Sequence, residues 1–205
     1  MHNNASNGEQ LFRCFFVGRI SFKTMREIMR YIFVLLVSVL PFVAVADQDS
    51  SDDLALRKSY PIQLYMGACV VARAQPSNVE KQAVDMGFKE ANPDVAENYL
   101  QGHKGKAWVA SNEHGSFAIA SQDRGLCSVF IHQGEPDKLI ASMESWLPPE
   151  NSGFSYKAEL VSESDQLKTI AYKIYRSNVL IEQWVITTAK QQGGQLAAIM
   201  SYNAS

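Results

Sequence analysis

Cysteine is scarce in this sequence of 205 residues: Cys14, Cys69 and Cys127 only, with no C-x-x-C pair. That absence removes a thioredoxin-like redox motif. There is no G-x-S-x-G elbow, no G-x-G-x-x-G and no G-x-x-x-x-G-K-[ST]. The sequence signatures of α/β hydrolases and of nucleotide-binding loops are therefore missing. Clusters of Lys and Arg are missing too, and the formal net charge is -2. Nucleic-acid binding, which rests on neutralising phosphates, is disfavoured. No apolar run reaches the roughly 20 residues that a membrane span needs.

What is present begins with an export pattern. Met25 to Arg30 is short and basic; Tyr31 to Val43 is apolar and interrupted by Pro41; Ala44-Val45-Ala46 is small-x-small; Asp47-Gln48-Asp49 follows. A basic head, an apolar middle and an A-x-A exit are the three parts of a secretory signal. Residues 25–46 thus read as a cleaved signal peptide, with cleavage between Ala46 and Asp47 and a mature protein in the periplasm or outside the cell. No stable membrane anchor is expected after cleavage, and no Cys ends the apolar run to carry a lipid. Residues 1–24 have no role in such a signal, so the simplest account starts translation at Met25 or Met29.

From Asp47 onward there are 159 residues, enough for one domain with a real core. They carry 14 Lys plus Arg against 19 Asp plus Glu, a net charge of about -5 with His neutral. Asp47, Asp49, Asp52 and Asp53, beside Ser50 and Ser51, read as a mobile acidic tail over 47–57. A single domain is expected over 58–205. With Cys14 removed, an even pair survives in an oxidising compartment, which predicts a Cys69–Cys127 disulfide.

The periodicities predict helices first. After Pro61, the residues Ile62, Tyr65, Met66, Cys69 and Val70 form one apolar stripe. Ser77 and Glu80 read as a capping box opening a second helix. Asp94 and Glu97 repeat the signal for a short turn through Tyr99 and Leu100, stopped by Gly102. Three strands follow, over 106–112, 116–121 and 126–132. In the third, Cys127, Val129 and Ile131 share a face. Pro136 opens a helix with Leu139, Ile140, Met143, Trp146 and Leu147 on its apolar side. Four more strands come after Pro149: one through Phe154, Tyr156, Ala158 and Leu160, one through Ile170, Tyr172 and Ile174, one over 179–188 and one over 195–202. Gly193-Gly194 marks the last turn. The sum is an α+β fold: a mostly antiparallel sheet of about seven strands, helices packed on one face, one disulfide.

Candidate chemistry is thin. His103, His114 and His132 could in principle hold zinc, but none has the spacing of a helical or strand pair, and no metal or cofactor is expected. Ser, His and Asp123 occur without any sign of triad geometry. Glu113, Asp123, Glu135, Asp137 and Glu144 could act as paired carboxylates. Each also fits as a turn residue, a helix-start acid or an exposed helix position. Gly102, Gly105 and Lys106 do not match a phosphate loop and read as a turn. Trp108, Trp146, Trp184, Tyr172, Tyr175 and Tyr202 read as core rather than as a ligand cleft.

The succession GKAW, a hairpin, GLCSVF, an amphipathic helix, YKIY and WVITT resembles a family of small exported bacterial proteins and lipoproteins without assigned activity, over Cys69 to Ser201. The resemblance implies export and a matched Cys pair. This chain departs from the lipoprotein members in having no Cys at the end of its signal. The expected function is a non-catalytic binding or interaction module with a protein or small ligand as partner. The alternatives are a small periplasmic hydrolase with a scattered site and a toxin-neutralising or inhibitor protein. A cleft holding a His beside a carboxylate or hydroxyl partner would favour the hydrolase.

Overall fold

The computed structural model describes residues 48–190 and 195–204. Residues 1–47, with the expected 1–24 extension, the 25–46 signal peptide and the Ala46–Asp47 cleavage point, lie outside the described residues, as does the Gly193-Gly194 turn. Among the described residues no helix is long and apolar enough to cross a membrane.

The elements are α1 (Gln48–Arg57), α2 (Tyr60–Tyr65) running into a π-helical turn (Met66–Val70), α3 (Pro76–Asp85), β1 (Lys89–Glu90), α4 (Pro93–Leu100), β2 (Gly105–Asn112), β3 (Gly115–Gln122), β4 (Leu126–Ile131), α5 (Pro136–Glu144), β5 (Phe154–Glu163), β6 (Leu167–Arg176), β7 (Val179–Ala189) and β8 (Ala198–Ala204). The strands form one antiparallel sheet in the order β1-β2-β3-β4-β8-β7-β6-β5. The α+β class therefore holds, with eight strands. The additional one, β1, is two residues long, too short to leave a period in the sequence.

Most of the core lies on one face. Ile62, Tyr65 and Cys69 of the α2 stripe are buried, as are Val79 and Ala83 of α3 and Leu139, Ile140 and Met143 of α5. Against them stand Trp108, Ile119, Val129, Tyr172, Trp184, Met200 and other residues of alternating parity on the strands. One helix departs from the one-face expectation. α4 packs on the reverse face, where Ala96 and Leu100 meet Ala107, Ala118, Ala120 and Phe130. Three alanines on adjacent strands leave room for a helix to approach, and the short Lys89–Glu90 strand delivers the chain to that side.

Proline decides where the helices begin. Ser77 was expected as a cap, but Gln75 is the N-cap of α3 and Pro76 its first residue, with no side-chain cap bond. The fixed φ of Pro76 starts the helix before Ser77 can act. The same shift occurs in α4: Asn92, not Asp94, is the cap, and its Oδ1 accepts from the Val95 N–H at 3.0 Å. Asn92→Ala is expected to cost about 1 kcal/mol of stability. Urea unfolding checks this, and an unchanged midpoint would show that the cap contributes nothing.

The segment expected as a mobile acidic tail is helical from Gln48 to Arg57. Acidic residues near a helix start are favoured by the dipole. The far end is tied down: the Arg57 carbonyl accepts from Gln63 Nε2 at 2.7 Å and from Trp146 Nε1 at 3.3 Å. The Arg57 guanidinium lies 6.0 Å from the Trp146 ring centre. The expectation treated these residues by composition alone and missed the anchor, Trp146, that follows α5.

Candidate functional site

The centre of the molecule is a cross-strand row on the helix-covered face. Tyr172 on β6 pairs with Trp184 on β7, Trp184 with Tyr202 on β8, and Tyr202 with Cys127 on β4. Above the row, Cys69 is bonded to Cys127 with a Cα–Cα distance of 5.3 Å. Both cysteines are fully buried. Cys69 lies in the π-helical turn, where Val71 N–H bonds to the Met66 carbonyl and Ala74 N–H to the Cys69 carbonyl. Arg73 and Ala74 then both take positive φ, 51° each. The chain turns sharply here so that α3 can start at Pro76.

Two tyrosine hydroxyls tie this row to its surroundings. Tyr65 donates to the Ser201 carbonyl at 3.2 Å. Tyr172 donates to Glu144 Oε1 at 2.7 Å. Burial raises the pKa of Tyr65, and nearby Glu182 adds to it. Burial also raises Tyr172, reinforced by its bond to Glu144, and raises Tyr202, reinforced by Glu182 and opposed by Arg73. A phenolate would be stranded in the core beside a carboxylate, so the neutral hydroxyl is held. These groups stabilise the fold; they are closed over by the helices.

The three histidines are not brought together. His103 lines a cleft of about 440 Å³ between α4, β1 and β2, with Glu90, Pro93, Glu97, Leu100 and Lys106. His114 stands in the β2–β3 turn, stacked on Tyr60 with ring centres 4.6 Å apart and 3.6 Å from Glu113. His132 follows β4 on the other side, where Nδ1 meets the Gln195 carbonyl and Nε2 lies 3.5 Å from the Tyr99 hydroxyl. Among the described residues no group of three His, Cys, Asp or Glu is placed to hold a metal ion.

The α4 cleft is the place where a His and carboxylates share a lining, the arrangement that would favour a hydrolase. Its lysine is already occupied: Lys106 bonds to Glu80 at 2.7 Å and lies 3.8 Å from Glu90. The hydrogen bond to Glu80 is the main reason its pKa is raised. The His103 ring makes no hydrogen bond among the described residues. Gly105 in this lining belongs to no phosphate loop. A Cβ there would meet the Ser121 carbonyl oxygen at 2.1 Å, so its role is to let β2 approach β3.

The other carboxylates go separate ways. Glu113 and Asp123 are in turns. Glu135 is the N-cap residue of α5 and bonds to Lys138. Asp137 is in the first turn of α5, and Glu144 accepts from Tyr172. Of the aromatics expected in the core, Trp108, Trp184, Tyr172 and Tyr202 are there; Trp146 is half-buried against Arg57, and Tyr175 is half-buried under Lys157.

The surface that sequence reasoning did not single out is β5. Among the described residues it ends the sheet, pairs with β6 alone, and is exposed at all ten positions. Tyr156 lies opposite Ile174 and Ala158 opposite Tyr172, so Phe154, Tyr156, Ala158 and Leu160 continue the helix-covered face. The helices stop short of them. Phe154, Tyr156 and Leu160 are 40, 45 and 55% exposed. Their apolar alternation was legible as a strand, but not that no helix among the described residues would cover it. Comparison of the chain with protein-family models, curated proteins and solved structures finds no match.

Proposed function

We propose that this protein is an exported, non-catalytic interaction module that works in the periplasm or outside the cell through the uncovered edge of its sheet. The observation that carries the reading is β5, a ten-residue edge strand exposed throughout, with Phe154, Tyr156 and Leu160 on its apolar side. An unpaired edge offers a row of backbone donors and acceptors to another strand. Other sheet edges in proteins are shortened or covered; here the opposite edge, β1, has two residues. The Cys69–Cys127 bridge suits an oxidising compartment. The basic, apolar and A-x-A succession ahead of Asp47 supports export. The hydrolase alternative draws on His103 and Glu97, which share the lining of the α4 cleft.

The test is made in the native host. A photo-reactive residue replaces Tyr156 in one strain and the exposed Lys81 of α3 in another. Cross-linked species are expected from position 156 alone, and the recovered protein is expected to begin at Asp47. Equal yields from both positions, or none from 156, would overturn the proposed surface. A chain retained in the cytosol with its N-terminal segment would overturn export.

A further inference from the structure

Resting on that reading, we infer that the partner of β5 is β5 of a second copy, paired antiparallel about a two-fold axis between the two Ala158 residues. The strand is regular from Phe154 to Leu160; the register shifts only between Leu160 and Ser162. In a two-fold antiparallel pair centred on Ala158, Tyr156 faces Leu160 of the other copy and Lys157 faces Glu159, each twice. Aromatic–aliphatic and opposite-charge pairs are the cross-strand combinations that stabilise a sheet.

Neighbouring registers are worse. Centring on Lys157 puts two ammonium groups opposite each other. Centring on Glu159 does the same with two carboxylates. Directly opposed like charges destabilise a strand pair. Centring on Tyr156 or Leu160 leaves Lys157 and Glu159 without each other. The Ala158 register is thus the one in which the charge pattern of this strand complements itself.

A second observation agrees. On the reverse face, Glu159 Oε2 lies 2.6 Å from Lys173. Lys157, one strand position row away, has no carboxylate partner among the described residues and lies 5.6 Å from the Tyr175 ring centre. Pairing with the other copy gives Lys157 a carboxylate and extends each Glu159 pair to Lys173-Glu159-Lys157. On the opposite face, two Tyr156 and two Leu160 side chains meet where the helices leave the sheet bare. Both copies keep their helices on the same side, because the axis runs perpendicular to the sheet.

The full chain is expressed, purified in the processed form that results, and weighed by light scattering and sedimentation over a concentration series. A dimer is expected. Ala158→Cys is expected to form a bond between copies on mild oxidation, since directly opposed strand residues lie about 4.5–5.5 Å apart at Cα, within disulfide reach. Lys157→Glu should weaken association at least 10-fold with an unchanged far-UV circular dichroism spectrum, and the exchange Lys157→Glu with Glu159→Lys should recover most of it. A monomer at all concentrations, or a dimer indifferent to Lys157→Glu and to Ala158→Cys, overturns the second copy as occupant. If the chain is monomeric yet position 156 still cross-links other proteins in the host, this inference fails while the interaction-module reading stands. A monomer with no cross-links from 156 ends both.

Discussion

Reduction of the Cys69–Cys127 bridge is expected to lower the stability of this protein by about 4 kcal/mol in the chain-entropy model. The bond closes a separation of 58 residues, from the π-helical turn after α2 to β4. Without it, the unfolded chain regains the freedom that this loop had lost. The native state also depends on the link locally. Cys69 sits in a π-helical turn followed by two residues in the left-handed region, Arg73 and Ala74. Left-handed backbone at non-glycine residues costs about 1–2 kcal/mol each. The bridge holds this turn on the sheet, directly over the Tyr172–Trp184–Tyr202 row. For a domain of this size, the loss corresponds to a fall in melting temperature of about 12 °C. Thermal unfolding of the native protein beside a Cys69→Ala, Cys127→Ala double variant measures it. A difference under about 3 °C would mean that the helix layer stays in place without the covalent link.

Alkaline pH should have the second large effect. In the unfolded chain Tyr65, Tyr172 and Tyr202 ionise near pH 10. In the fold, burial above all, then Glu144 and Glu182, raises all three. A raised folded pKa means that the native state holds protons which the unfolded state releases. The associated stability is complete below about pH 10 and declines as pH rises beyond it. Each tyrosine adds about 1.4 kcal/mol per pH unit to the slope, so the three together reach about 4. Urea midpoints should be steady from pH 8 to 9.5 and then drop steeply. Absorbance at 295 nm should show these phenols ionising only as the protein unfolds. Tyr172→Phe removes one contributor and should flatten the decline by about a third. Ionisation of Tyr65, Tyr172 and Tyr202 near pH 10 in the folded protein, read as the absorbance change lost in their Phe variants, would contradict the arrangement.

Local patterns in the sequence were readable where the structure is local. The α2 stripe, the α5 face and the alternation of β2 to β4 follow from side-chain period alone. Cys69 and Cys127 each fell on an inward face by that count, in agreement with the pairing that cysteine arithmetic predicted. Helix starts were read one or two residues late, because Pro76 and Pro93 fix the first turn and pass the cap to Gln75 and Asn92. The acidic segment before Arg57 was read from composition, and composition carries no trace of Trp146 in the turn after α5. The α4 cleft combines β1, α4 and β2; His103 beside a glycine gave no sign that it would line one.

By itself the sequence determined the class of fold, the inward direction of two cysteines and the positions of nearly every strand, since those depend on periods of 2 and 3.6 residues within a few turns. Only the tertiary structure decided that β8 enters between β4 and β7, that α4 crosses to the reverse face and that β5 is left at the edge with Tyr156 and Leu160 uncovered. Those outcomes come from pairings between residues far apart in the chain. An apolar residue on a strand looks the same in sequence whether a helix lies over it or nothing does, because the period records which face a residue takes and not what packs on that face.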